Sequence, residues 1–217
     1  MYRMISLKRY IFLFLLFSYF LFSQEVEVEF TGGTSDSSGL QSFPGIYGGL
    51  GMSFTTLGNN ISVPKIELEL KKSGTPSDIY VEIRTSIDSG TLGTSDTKTA
   101  SDLSESYSWV SFNFDPPISL NANTKYYIVL KSVGTTGSVD WKYIYAGTDQ
   151  YTGGNMYRYV DSSTQDLGSL YDANFKVYKV SSDTTPPGAI TTLSAVSGDV
   201  EGEIRLSWLT PGDDGYV

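Results

Sequence analysis

The stretch Lys65–Lys71 reads KIELELK, with Ile66, Leu68 and Leu70 separated by charged residues. A helix returns to the same face every 3.6 residues, so strict alternation can bury one side only as a β-strand. The pattern recurs along the chain. Val26, Val28 and Phe30 alternate with Glu27 and Glu29, and Ile79, Val81 and Ile83 alternate with Tyr80, Glu82 and Arg84. Val110, Phe112 and Phe114 follow, then Tyr126, Ile128 and Leu130. One-sided strands of this kind belong to antiparallel sheets with one wet face. The segments KSGTPSD, DSGTLGTSD, DPP, NANT, GTTGS and GTDQYTGGN between them are rich in residues that form turns. Strands spaced about ten residues apart, with no helical period between, predict an all-β fold. Residues 25–180 are expected to form a jelly-roll-like antiparallel β-sandwich.

The two ends differ from this middle. Residues 1–24 carry Arg3, Lys8 and Arg9, then an apolar run from Tyr10 to Phe22, then the small Ser23 before Gln24. This is the layout of a secretory signal peptide, and the run is shorter than the roughly 18 residues of a membrane span. The mature chain is therefore expected to lack a membrane span and to be secreted or displayed at the cell surface. Residues 181–187 form a Ser/Thr/Pro linker, and Pro186–Pro187 cannot join a sheet interior. Residues 188–217 hold two more alternating stretches, AITTLSAVSG and EIRLSWL.

Composition narrows the chemistry. The 217 residues contain no Cys and no His. A core without disulfides must hold the fold, and neither a Ser-His nor a Cys-His nucleophile system can form. The formal charge is −9, and it falls to −12 once Arg3, Lys8 and Arg9 are removed. Such a surface repels phosphate backbones and anionic lipids, so nucleic acid is not an expected partner. It suits Ca²⁺, which takes carboxylate and carbonyl oxygens. Glu67, Glu69 and Glu82 lie on outward strand faces among Lys and Arg, unlike the buried acid a glycosidase requires. No catalytic residue is expected.

Two resemblances extend this reading. The stretch TTPPGAITTLSAVSGDVEGEIRLSWLTPGDDG resembles the opening of a fibronectin type III domain. It has the Pro-rich lead, a first strand near Leu193, Leu206 and Trp208 in the second strand, and a turn at Pro211. The resemblance implies an incomplete immunoglobulin-like sandwich, with Trp208 destined for a core built from strands beyond Val217. The region from Gln41 to Tyr178 resembles secreted bacterial β-sandwich modules, some filed under "choice-of-anchor" names. The residues that carry it are QSF (Gln41–Phe43), IELELKKSGTP, the Trp109/Phe112/Phe114 strand, and Leu120 with Thr124 ahead of Tyr126–Leu130. They continue with Tyr151–Gly154 and with Asp172, Phe175 and Tyr178. Modules of this kind accompany cell-wall anchors, hydrolases and adhesins, which implies a non-catalytic role in a longer modular protein.

The most aromatic stretch is VDWKYIYAGTDQYTGGNMYRYV. Trp141, Tyr143 and Tyr145 alternate along one strand, Tyr157 and Tyr159 along the next, and Tyr151 sits between. Sugar rings stack on exposed aromatic faces, and Asp140, Asn155 and Arg158 are close by in sequence to meet their hydroxyls. The alternative is an inward aromatic face that completes the core. For Ca²⁺, the loops Gly147–Asn155 and Asp161–Asp166 supply oxygens, although neither has EF-hand spacing. The reading that follows is a secreted adhesion or carbohydrate-binding module, with a glycan or cell-surface polymer and downstream domains of the same polypeptide as partners. An accessory region of a secreted hydrolase, or a structural spacer, are the alternatives.

Overall fold

The computed structural model describes residues 24–34, 49–160, 163–181, 193–197 and 204–207. The residues of the expected signal peptide, except Gln24, and nearly all of the expected linker lie outside this set, as do Trp208 and Asp161. The first strands are β1 (Gln24–Phe30), β2 (Gly49–Thr55), β3 (Ile61–Ser73), β4 (Ile79–Ser86) and β5 (Ser89–Thr94). A single 3-10 turn at Ala100–Asp102 precedes β6 (Ser108–Leu120) and β7 (Lys125–Ser132). Then come β8 (Ser138–Trp141), β9 (Tyr143–Tyr145), β10 (Met156–Val160), β11 (Ser163–Asp166), β12 (Tyr171–Ala173) and β13 (Phe175–Val180). The chain closes with β14 (Ser194–Ser197) and β15 (Ile204–Ser207).

The fold is an all-β antiparallel sandwich. One sheet runs β1-β13-β3-β6, and the other runs β2-β7-β4-β5, widened beyond β2 by β10 and β11. Within the frame the chain passes from one sheet to the other at β1–β2, β2–β3, β3–β4, β5–β6 and β6–β7, and β8 then adds to the first sheet beside β3. That order is a jelly roll of two interlocked Greek keys. The strands β8 to β12 are an insertion between its last two frame strands.

The alternating faces meet as the pattern requires. Ile66, Leu68 and Leu70 of β3 are fully buried, and so are Ile79, Val81 and Ile83 of β4. They close on Met52 and Phe54 of β2, Ile128 and Leu130 of β7, Phe112 of β6, and Phe175 of β13. Each such side chain contributes about 1.5–3 kcal/mol by leaving water.

Three local expectations are corrected. Val26 does not share a face with Val28 and Phe30. A bulge between Val26 and Val28 leaves Val26 exposed and turns Glu27 inward, where it accepts the Leu57 amide (3.0 Å) and pairs with Lys179 (3.0 Å). The DPP segment is not a turn but lies inside β6, opposite an irregularity between Val63 and Lys65. β6 ends its sheet, and an edge is where a strand tolerates proline. Part of DSGTLGTSD likewise forms β5, the edge of the other sheet.

Among the described residues β14 and β15 pair only with each other, and Leu193, Val196 and Ile204 are exposed. A chain of residues 24–180 should therefore melt within a few degrees of one that includes them, read by circular dichroism. A large loss of midpoint on shortening would show that the hairpin supports the sandwich. Among the described residues no helix is long and apolar enough to cross a membrane.

Candidate functional site

The first strand of the insertion, β8, and the frame strand β13 meet at one residue of β3. β13 pairs with β3 over Lys65–Leu68, and β8 pairs with it over Leu70–Ser73 along the same edge. Glu69 lies at the junction. Its amide donates to the Asn174 carbonyl (3.4 Å), and its own carbonyl accepts the Lys142 amide (2.9 Å). Its carboxylate holds Lys142 Nζ at 2.7 Å and Asn174 Nδ2 at 2.7 Å.

This junction decides the fate of the expected platform. Trp141 is only 1 % exposed, and its Nε1 donates to the Asn174 carbonyl at 2.6 Å. It is a core residue and has no face to offer a ligand. Tyr143 is also buried and packs with the core, although beyond Lys142 the chain leaves β3 and pairs with β12 instead. Tyr157 is buried on the far face of the other sheet, edge-on to Tyr127 with centroids 5.6 Å apart. Tyr151 is half-buried and meets Phe175 edge-on at 5.3 Å. Burial pushes the hydroxyls of Tyr151 and Tyr157 up to about 12, so both stay protonated.

The polar candidates are dispersed as well. Asp140 stands opposite Lys71 in the β3–β8 register, and burial raises its pKa while Lys71 opposes the shift. Arg158 donates to Gln165 (2.6 Å), and Asn155 donates to both oxygens of Asp166 (3.2 and 3.1 Å). Asp166 also accepts the Gly168 amide (2.8 Å), and the stretch expected as a Ca²⁺ loop at Asp161–Asp166 is instead strand over Ser163–Asp166, with Asp161 outside the described residues. Tyr159 bonds the Ile87 carbonyl and receives Arg84 Nη1 at 3.3 Å. The expected set is thus divided between two sheets.

A different aromatic surface does form in the same segment. β9 and β12 make a two-stranded ribbon in which Tyr145 stands opposite Tyr171, and Tyr143 opposite Ala173. Small Ala173 leaves room for three rings to step outward. Tyr143 stacks on Tyr171 at 6.0 Å, and Tyr171 packs on Tyr145 at 4.6 Å. Tyr145, 59 % exposed, is the only exposed aromatic among the described residues. It is backed by one ring and open to solvent. The loop that follows carries Thr148 and Gln150, both exposed, with Gln150 Nε2 bonded to Thr148 Oγ1 at 2.8 Å.

Rings elsewhere on the surface are covered by lysines. Lys65 lies over Tyr178 (3.7 Å), Lys176 over Trp109 (4.5 Å), and Lys71 and Lys142 over Tyr107 (4.6 and 5.6 Å). Each ammonium group occupies one face of the ring beneath it, and a sugar would have to displace it. The carboxylates among them are engaged too. Burial pushes Glu67 up, but hydrogen bonds from Lys65, Tyr178 and Ser111 outweigh it and hold the group below its ordinary value. Glu82 receives Arg84 Nε at 2.6 Å and Thr91 Oγ1 at 3.1 Å.

No family model matches the chain, and no curated protein does.

Sequence reasoning named Tyr145 but put it on Trp141's face, and it passed over Tyr171. The available signal was the small Ala173 beside Tyr171 in a second short alternating stretch.

Proposed function

We propose that the protein is a secreted, non-catalytic β-sandwich module that binds glycans or adheres to a glycan-bearing surface. The observation that carries this is the exposed Tyr145 ring, backed by Tyr171 at 4.6 Å. Such a ring presents a flat apolar face to the C–H edges of a pyranose, and the exposed Thr148 and Gln150 on the adjoining loop stand where they can exchange their mutual hydrogen bond for sugar hydroxyls. A non-catalytic role is supported by the state of the carboxylates. Glu67 is held ionised, and Asp172, whose pKa is raised by burial, lies fully buried and cannot reach a glycosidic oxygen.

Base–aromatic stacking contributes roughly 1–3 kcal/mol, and a single sugar stack should be no stronger. Dissociation constants of about 0.1–1 mM are expected. In affinity electrophoresis through a panel of polysaccharides, Tyr145→Ala should abolish retardation while altering stability by less than about 1 kcal/mol. Retardation equal to that of the unmodified protein would refute the platform.

A further inference from the structure

Asp172 is the group that the fold leaves unexplained. It lies on the β12 face opposite Tyr171, fully buried, paired in register with Ile144. Its Oδ2 accepts the amides of Gln150 (3.1 Å) and Tyr151 (3.2 Å). Its Oδ1 is buried with no hydrogen-bond partner, the one such side-chain atom among the described residues. Asp149 Oδ1 accepts the same Tyr151 amide at 3.0 Å. The two carboxylates therefore share one N–H donor, which sets Asp149 Oδ1 and Asp172 Oδ2 side by side.

Burial raises the Asp172 pKa and the neighbouring Asp149 raises it further, while only the two amides oppose them. A buried carboxylate with a free oxygen, beside a second carboxylate, is unfavourable unless a proton or a cation joins it. Beside it stand the second carboxylate and the irregular loop whose Gln150 and Tyr151 amides it already holds, which offers further backbone oxygens. That donor set suits a hard cation. It fits Ca²⁺ better than Mg²⁺, which demands near-ideal octahedral geometry.

We infer that Asp172 and Asp149 form the carboxylate half of a calcium site beneath the Ala146–Tyr151 loop. Among the described residues no third acidic side chain joins them, so backbone carbonyls and water complete the coordination. Two carboxylates make a weak site, in the range of about 10⁻⁴–10⁻³ M typical of extracellular modules. The inference stands apart from the glycan reading, and its test involves no sugar.

Protein stripped with a chelator is titrated with Tb³⁺, whose emission Tyr151 can sensitise, and then with CaCl₂ as competitor. Thermal midpoints are measured in parallel. Sensitised emission displaced by Ca²⁺ is expected, with a midpoint rise of about 3–6 °C at ten times the dissociation constant. Asp172→Asn should abolish both effects. Asp149→Asn, on a half-exposed loop where folding is not at stake, should weaken binding by roughly 10-fold or more. Three results would overturn the site. One is the absence of any Ca²⁺-dependent shift. Another is emission unchanged in both variants, which would place the ion elsewhere on the acidic surface. The third is a midpoint that rises equally on acidification with or without Ca²⁺, which would make the proton the partner of Asp172.

Discussion

Trp141→Ala should lower the unfolding free energy by about 3–5 kcal/mol, the usual cost of removing a large buried aromatic. Domains of this size are stable by about 5–15 kcal/mol, so the variant should sit near the edge of folding at 37 °C. The size of the effect follows from where the ring lies. Trp141 is the largest fully buried side chain of the sandwich, and its N–H is bonded at the junction of β3, β8 and β13. Trp141→Phe keeps most of the apolar area and loses that bond. It should cost about 1–2 kcal/mol, because the Asn174 carbonyl retains the Glu69 amide. Guanidinium melts of the two variants separate the packing and hydrogen-bond contributions. An unchanged midpoint for Trp141→Ala would mean that the ring is not in the core.

Asn174→Ala should cost about 2–5 kcal/mol, more than its small side chain would explain by volume. Asn174 is fully buried, and its amide bridges three segments. Oδ1 accepts the Gly33 amide at 2.7 Å, and Nδ2 donates to Glu69 Oε2 at 2.7 Å. Truncation leaves the Gly33 N–H buried without an acceptor and removes one partner from a charged carboxylate. An orphaned buried group costs about 1–3 kcal/mol, and bonds to charged groups lie at the upper end. Asn174→Asp preserves the Gly33 acceptor but sets a second negative charge against Glu69, so it should be at least as harmful as alanine. If the aspartate variant were neutral, the Glu69 bond would have no weight. Gly33 is tied to the same hub from the other side. A methyl group there would stand 2.5 Å from Asn174 Oδ1, so Gly33→Ala should show part of the same loss.

Much of the frame was legible because alternation is a local property. Ile66, Leu68 and Leu70 face inward for the reason visible in KIELELK, and Ile79, Val81 and Ile83 follow the same rule. What was not legible depends on pairing between distant segments. Glu27 turns inward only because Lys179 and the Leu57 amide wait for it. The DPP segment reads as a turn until β6 is known to be an edge. The aromatic site failed for a related reason. Trp141, Tyr143 and Tyr145 share a period, but the period assumes one continuous strand. At Lys142 the partner changes from β3 to β12, so Trp141 stays in the core while Tyr145 comes out. No pattern within Val139–Tyr145 marks that exchange. The match between Tyr145 and Tyr171 is a cross-strand register and becomes visible only with the ribbon assembled.

Lys142 and Asn174 bond directly, the Asn174 amide donating to the Lys142 carbonyl at 2.9 Å. The excursion from 143 to 173 therefore leaves the β3 sheet and returns to it through one doorway beside Glu69, touching the other sheet on the way where β10 pairs with β2. In the language of protein engineering this is a cassette. The frame already holds its ends together, and doubling the length of such a loop adds only about 0.6 kcal/mol of closure entropy. The ribbon and its loop can be lengthened, shortened or exchanged while the doorway keeps its bonds, provided that β10 keeps its pairing with β2 and Met156 its fully buried place in the core. The same frame can thus carry different surface ribbons, much as a lens mount accepts different lenses.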